Sequence, residues 1–269
     1  MSKSFSFGAN WQHFLSVLDS ERIREAENSL KEMLEIESLK GRRFLDIGSG
    51  SGLFSLAAHR LGAEVVSFDY DPASVACTEE VKRRYASESI NWRIERGSAL
   101  DKEYVQALGQ FDIVYSWGVL HHTGDMWRAI ENSVMAVAPG GHLFIAIYNN
   151  QGRASRIWTH IKQLYNASPR PVKWLLVLAA GAYFELRSLA ARLAAPRRYK
   201  RAQPKRGRGM AKWYDLVDWV GGYPFEVAKP EEIFDFYRKH GFTLCRLRTC
   251  AGGIGCNEFV FKRSLQKDG

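Results

Sequence analysis

The chain has 269 residues, 46% hydrophobic and 25% charged, with a formal net charge of +9; this balance fits one α/β domain with an added segment and excludes a disordered or fibrous chain. Its four cysteines, Cys77, Cys245, Cys250 and Cys256, show no Cys-x-x-Cys pair and no zinc-type spacing, so neither a disulfide framework nor a structural metal is expected. The charge is local: ten basic residues and no acid lie in residues 186–214, and the rest of the chain is within one charge of neutrality, so the basicity says little about what the core binds.

The first residues, MSKSFSFGANWQHFLSVLDSER, lack the apolar core and small-residue cleavage site of a secretory signal, and a cytoplasmic location is the expectation. Over residues 10–39 the spacing of Phe14, Leu15, Leu18, Ile23, Leu30, Met33, Leu34 and Ile36 predicts one or two amphipathic helices. Residues 1–40 are therefore read as a helical cap.

After Gly41, five β-rich runs, RRFLDIG, EVVSFD, INWRIER, FDIVYSW and HLFIAIY, alternate with helical patterns near residues 53–61, 73–85, 102–108 and 127–138. Several runs are apolar on both faces, as a buried parallel sheet requires. The alternation predicts right-handed βαβ units in a doubly wound, mostly parallel sheet over residues 41–148.

The first strand runs into FLDIGSGSGLF, where Asp46 precedes a turn of Gly48, Ser49, Gly50 and Gly52. Such glycines let the backbone pass close under a ligand, and the next helix offers its positive N-terminal end. Dehydrogenases use Gly-x-Gly-x-x-Gly, but here Leu53 stands where their third glycine would be. Asp46 suits an amino-acid ammonium group better than a pyrophosphate. The second strand ends in Asp69, a carboxylate placed for two ribose hydroxyls, beside Tyr70, which can lie against a base; Asp71 before Pro72 reads as a helix cap. After the third strand, Gly97, Ser98 and Ala99 can reach an adenine edge. A ligand with ammonium, ribose and adenine but no phosphate is S-adenosyl-L-methionine.

FDIVYSWGVLHHTGD follows, then APGGHLFIAIYN. Taken together, Asp46 to Gly52, Asp69, Gly97 to Leu100 and these two stretches resemble the ordered motifs of class I S-adenosylmethionine-dependent methyltransferases, over roughly residues 41–150. Ser98 departs from the family's frequent Asp. The resemblance implies a seven-stranded sheet with an antiparallel last strand, S-adenosyl-L-methionine as cofactor, S-adenosyl-L-homocysteine as product, and Trp117 and Gly118 beside the cofactor. His121 and His122 are the catalytic candidates, because histidine is the usual base near neutral pH; fixing their own loop is the competing role. Trp11 is expected to fold over the cofactor. HHTGD and the long insertion look most like small-molecule and quinone-precursor methylases.

Residues 149–229 form that insertion, read as helical and basic, with residues 230–269 returning to the core as a helix and two strands. Tyr148 and Asn149 face the expected substrate side. Trp213, Tyr214, Asp215, Trp219, Tyr223 and Glu226 line an acceptor pocket or merely pack. Asn257 and Glu258, at the start of a strand, approach the site. The run WLLVLAAGAYF is 11 residues long and closed by Glu185 and Arg187, against about 20 for a bilayer span, so no transmembrane helix is expected. The basic stretch 187–212 reads as a solvated loop, a clamp on an anionic substrate, or a phospholipid contact.

Transfer of methyl to an oxygen or nitrogen of a small biosynthetic intermediate is the expected function. The alternative is a peripheral membrane O-methyltransferase of a prenylated quinone precursor. SWGVL has no Pro-Pro-aromatic motif, which counts against nucleic acid as the acceptor, and a cofactor-binding protein without transfer is the remaining reading. Monomer and homodimer both stay open.

Overall fold

In the computed structural model, residue 15 and residues 18–194 and 212–265 are described. The elements run α1 (Ser20–Leu34), β1 (Arg43–Ile47), α2 (Leu53–Arg60), β2 (Glu64–Asp69), α3 (Pro72–Tyr85), β3 (Trp92–Arg96), α4 (Lys102–Ala107), β4 (Phe111–Trp117), a 3₁₀ turn (Leu120–His122), α5 (Met126–Ala136), β5 (Val137–Tyr148), α6 (Arg153–Ala167), α7 (Arg170–Ala194), α8 (Lys212–Gly221), α9 (Pro230–Lys239), β6 (Phe242–Arg248) and β7 (Cys256–Arg263).

The strands make one seven-stranded sheet in the order β3-β2-β1-β4-β5-β7-β6. Pairs among β1 to β5 are parallel, whereas β7 runs antiparallel to both β5 and β6. This is the doubly wound sheet that the strand–helix alternation predicts, with the antiparallel last strand that the family resemblance implies. Phe44, Val114, Leu143 and Phe261 are wholly buried in it, and each such side chain contributes about 1.5–3 kcal/mol by leaving water.

Local chemistry fixes where the helices begin. Asp71, Asp101 and Asp125 cap α3, α4 and α5, accepting from the backbone N–H groups of Ala73, Tyr104 and Arg128. Each cap sits just past a parallel strand, so the strand's C-terminal end and the helix's positive end point the same way. Helix α2 differs: Gly52 is its first flanking residue and offers no side-chain cap.

Two segments depart from the sequence reading. Strand β5 starts at Val137, ahead of the Pro-Gly-Gly turn, and its pairing with β4 slips between Phe111 and Ile113. A Cβ on Gly141 would meet the carbonyl oxygens of Ala138, Asp112 and Phe111 at 2.9–3.0 Å, so only glycine lets the chain pass that slip. Helix α7 continues to Ala194, 25 residues in all, and is long and apolar enough to cross a membrane by length and composition, with only 12% of its most apolar window buried. Glu185 and Arg187 sit within this helix and do not end it.

The described chain falls into two compact units, Arg153–Tyr223 and the remainder around the sheet. Inside the first, Trp158 stacks on Phe184 with ring centres 5.5 Å apart, Gly181 faces Leu216, and the Lys162 ammonium reaches the Trp219 carbonyl. Residues 224–228 belong to the sheet unit, where Ala228 donates to the Tyr148 carbonyl at 3.0 Å and Asn150 donates back to Ala228 at 3.1 Å.

Candidate active site at the ends of strands β1, β2, β4 and β5

Parallel strands bring their C-terminal ends to one edge of the sheet, and ligands of open α/β sheets bind in the crevice there. Asp46, Asp69, Trp117 and Tyr148 all stand at or near such ends. In the turn after β1, Gly48, Gly50 and Gly52 have φ of 78°, 53° and 76°, a left-handed conformation that side chains resist. A Cβ on Gly48 would also strike Val119, and one on Gly52 would lie 2.9 Å from the Thr78 Cα.

Asp46 is 2% exposed. It accepts from the Ser55 hydroxyl at 2.5 Å; the Ser55 and Ser67 oxygens are 2.7 Å apart; and the Trp92 indole N–H donates to Ser67 at 2.8 Å. The indole can only donate. With Ser55 donating to Asp46, the Ser67 proton goes to Ser55, so all three donors point toward the carboxylate. Burial pushes the Asp46 carboxyl up to about 7, with the negative charge of Asp69 adding to the rise and the Ser55 bond opposing it. A buried carboxylate of this kind is stabilised by a cation brought beside it.

Asp69 accepts from the Gly50 N–H at 3.0 Å and from the Asp71 N–H at 2.9 Å. Burial raises its pKa against those bonds. Its bond to Gly50 ties the tip of β2 to the glycine turn, while Ser49 is held to Thr78 with oxygens 2.9 Å apart. Tyr70 is 71% exposed, with the Arg96 guanidinium 5.9 Å from its ring centre. The Tyr104 ring occupies the space where Gly97 would carry a Cβ, Ser98 accepts from Leu100, and the Ala99 carbonyl accepts from Asn132 at 2.8 Å.

Past β4, the Trp117 indole N–H donates to Glu258 at 3.0 Å, and Gly118 turns the chain with φ of 76°. The two histidines then part company. His121 is wholly buried, its ring centre 4.0 Å from that of Tyr148. His122 is half-buried, and its Nδ1 lies 2.6 Å from the Pro224 carbonyl oxygen. A carbonyl cannot donate, so Nδ1 carries the proton and the lone pair of the neutral ring sits on Nε2.

Asn149 and Asn257 come together, but on each other: Asn257 donates to the Asn149 side-chain oxygen at 3.1 Å, Asn149 donates to Gly253, and Asn257 accepts from the Cys250 N–H. Their amides pin the loop between β6 and β7 to the tip of β5. Glu258 joins Trp117 and Arg248. Trp213 and Tyr214 lie on α8 and Tyr223 follows it, within the helical unit, where the Tyr223 hydroxyl accepts from Gln163 at 3.3 Å. Trp11 and residues 195–211 of the basic stretch lie outside the described residues.

Sequence reasoning did not find Ser55 and Ser67, which carry no motif, and it reads Glu226 only as packing or as part of an acceptor pocket, not as the partner of α5 and the His121 backbone. Glu226 accepts from the Met126 N–H at the start of α5 and donates its own N–H to the His121 carbonyl. The one local signal was the Pro224-Phe225-Glu226 punctuation after two glycines.

The strand order, the antiparallel seventh strand and the glycine turn define the class I S-adenosylmethionine-dependent methyltransferase architecture. A family model described as methyltransferase domain matches residues 18–203, and the chain belongs to that family. It is 36% identical over 118 residues to the ubiquinone biosynthesis O-methyltransferase of Chelativorans sp. (strain BNC1), covering 43% of this chain and 44% of that protein. To the protein of the same name in Rhizobium etli it is 29% identical over 136 residues, covering 51% and 53%. The chain thus spans about half the length of the curated relatives it matches. Among solved structures it resembles magnesium protoporphyrin IX methyltransferase from Synechocystis PCC 6803 with bound SAH, at a TM-score of 0.54 and 13% identity over 90% of this chain and 83% of that one. It also resembles the [4+2]-cyclase SpnF, at 0.55 and 12% over 90% and 81%. These two likenesses concern the fold.

The residues present fit the family's cofactor. A buried carboxylate with a raised pKa, three glycines whose Cβ positions are closed or strained, and a helix N-terminus without a side-chain cap meet at one turn, with Asp69 and an exposed Tyr70 beside it.

Proposed function

We propose that this S-adenosylmethionine-dependent methyltransferase moves a methyl group to a hydroxyl oxygen of a small-molecule acceptor, with His122 as the base. The observation that carries this reading is the His122 to Pro224 hydrogen bond. It fixes the tautomer that accepts a proton at Nε2, which a hydroxyl acceptor needs and a carboxylate acceptor does not. The name of the relatives, O-methyltransferase, supports the same element.

In this reading Asp46 would hold the cofactor's ammonium group, the N-terminus of α2 its carboxylate, Asp69 its ribose hydroxyls, and Tyr70 with Gly97, Ser98 and Ala99 its adenine. When bound, S-adenosyl-L-methionine supplies an electrophilic methyl group on a sulfonium. The chain's part is to hold the acceptor in line and to take the hydroxyl proton onto His122. His121, buried against Tyr148, supports the His122 loop from behind. A second reading, with a prenylated quinone precursor as acceptor, is favoured by the relatives' role in ubiquinone biosynthesis.

The test is transfer of tritiated methyl to a panel of phenols, catechols, amines and carboxylic acids. Transfer to hydroxyls, lost in His122→Asn, is expected. Transfer only to amines or carboxylates, or full activity of His122→Asn, would sink the assignment.

A further inference from the structure

We propose that α7 docks its outer face, in the plane of the surface, on a bilayer containing anionic phospholipid. One stripe of this helix is already used within its own unit: Val177 and Ala180 are 2% and 8% exposed, Gly181 faces Leu216 and Phe184 stacks on Trp158. The opposite face is apolar and open. Leu175, Leu178, Leu186, Leu189 and Leu193 are 65%, 54%, 67%, 52% and 76% exposed, and their spacing keeps them on one side of a 3.6-residue helix. At 1.5 Å per residue the helix is about 37 Å long. Scattered exposed leucines need no explanation, but a continuous apolar side on so long a helix marks an interaction surface.

Charge selects the occupant. Arg170 and Lys173 stand in the first turn, Arg187 and Arg192 in the second half, and Glu185 is the only acid on the helix. The sequence beyond it adds Arg197, Arg198, Lys200, Arg201, Lys205, Arg206, Arg208 and Lys212 before the next acid, Asp215. Because both ends of α7 are cationic, a second copy would set cations against cations whether the helices paired parallel or antiparallel. An anionic lipid surface satisfies the apolar face and the charge together. The stripe packed on α6 and α8 favours a helix lying along the surface over one crossing it, since crossing would strip Val177, Ala180 and Phe184 of their neighbours.

The experiment is flotation of the full chain with vesicles of phosphatidylcholine alone and of phosphatidylcholine with 30% phosphatidylglycerol, repeated with Leu178→Glu/Leu186→Glu. Both positions are exposed, so adenosylhomocysteine affinity by calorimetry should be unchanged and serves as the folding check. The chain should float with the anionic vesicles, at least about tenfold less with the neutral ones, and at least about tenfold less after the double substitution. Failure to float with anionic vesicles overturns the proposal, as does flotation indifferent to the substitutions. A dimer by light scattering that the substitutions convert to monomer, without lipid binding, overturns it in favour of a second copy. No acceptor is needed, so the outcome is independent of whether His122 is the base.

Discussion

The Nδ1 atom of His122 donates to the carbonyl oxygen of Pro224 across 102 residues of sequence, at 2.6 Å. This bond sets both the direction of the ring and the nitrogen that can take a proton. His122→Asn, whose amide N–H can still reach Pro224, should leave stability and adenosylhomocysteine affinity near wild type. Its kcat should fall by about 10²–10⁴, the usual worth of a positioned base. Equal losses in kcat and in thermal stability would mean that the ring serves only to hold its loop.

Asp46 predicts a pH dependence with a definite sign. Its carboxyl is raised from 3.8 to about 7 in the fold, so between those values the native state binds more protons than the unfolded one and stability falls as pH rises. Asp46→Asn should therefore raise the unfolding free energy at pH 8 by on the order of a few kcal/mol, read as a higher melting temperature. The same substitution should weaken S-adenosyl-L-methionine binding by tenfold or more.

The wild-type carboxyl must lose its proton to pair with an ammonium group. Cofactor affinity should therefore drop as pH falls below about 7, and calorimetry at pH 6 in buffers of different ionisation enthalpy should detect proton release on binding. Affinity flat from pH 5.5 to 8 would remove Asp46 from the cofactor site.

Gly48→Ala should lower stability by about 1–3 kcal/mol, because it combines a left-handed backbone with a side-chain clash. Adding Val119→Ala removes the two methyl groups that the new Cβ would strike and should recover part of the loss, leaving a 2.9 Å approach to the residue 119 Cβ and the backbone strain. A double-mutant cycle read by urea unfolding should show coupling between the two sites; strict additivity would mean the turn moves away from Val119 instead.

Glu226 makes the corresponding case for α5. Its carboxylate takes the Met126 N–H from outside the helix, and burial raises its pKa against that bond. Glu226→Ala should cost about 1–2 kcal/mol in urea unfolding. Glu226→Gln keeps an acceptor and should cost less. If the two lose equally, it is charge and not the hydrogen bond that matters.

Much of this molecule could be read from residue order, and the limits have physical causes. Strands such as EVVSFD are apolar on both faces and bounded by turn residues, so β1 to β5 were legible. The glycine turn, Asp46 and Asp69 could be singled out because glycine spacing and a strand-end acid are local features. The chain of donors from Trp92 through Ser67 and Ser55 to Asp46 was not, because its members come from four elements and each serine alone is ordinary. The same holds for Pro224 and Glu226, whose part in holding His121 and His122 comes from backbone pairing beside Tyr148 that leaves no periodic trace. For α7, Glu185 and Arg187 close the apolar run WLLVLAAGAYF in sequence, yet isolated charges on an exposed face do not stop a helix, and its membrane-spanning length shows only in the structure.

Strand β7 lies between β5 and β6 although it is made after both. While a growing chain is still on the ribosome, β5 must wait with one edge open and Trp117 without Glu258, so the wall of the site closes only when residues 256–263 emerge. An open edge of this kind is a template on which another extended segment can pair. A released chain that ends before Cys256 should therefore fail to hold adenosylhomocysteine, even though it contains every residue assigned to the cofactor.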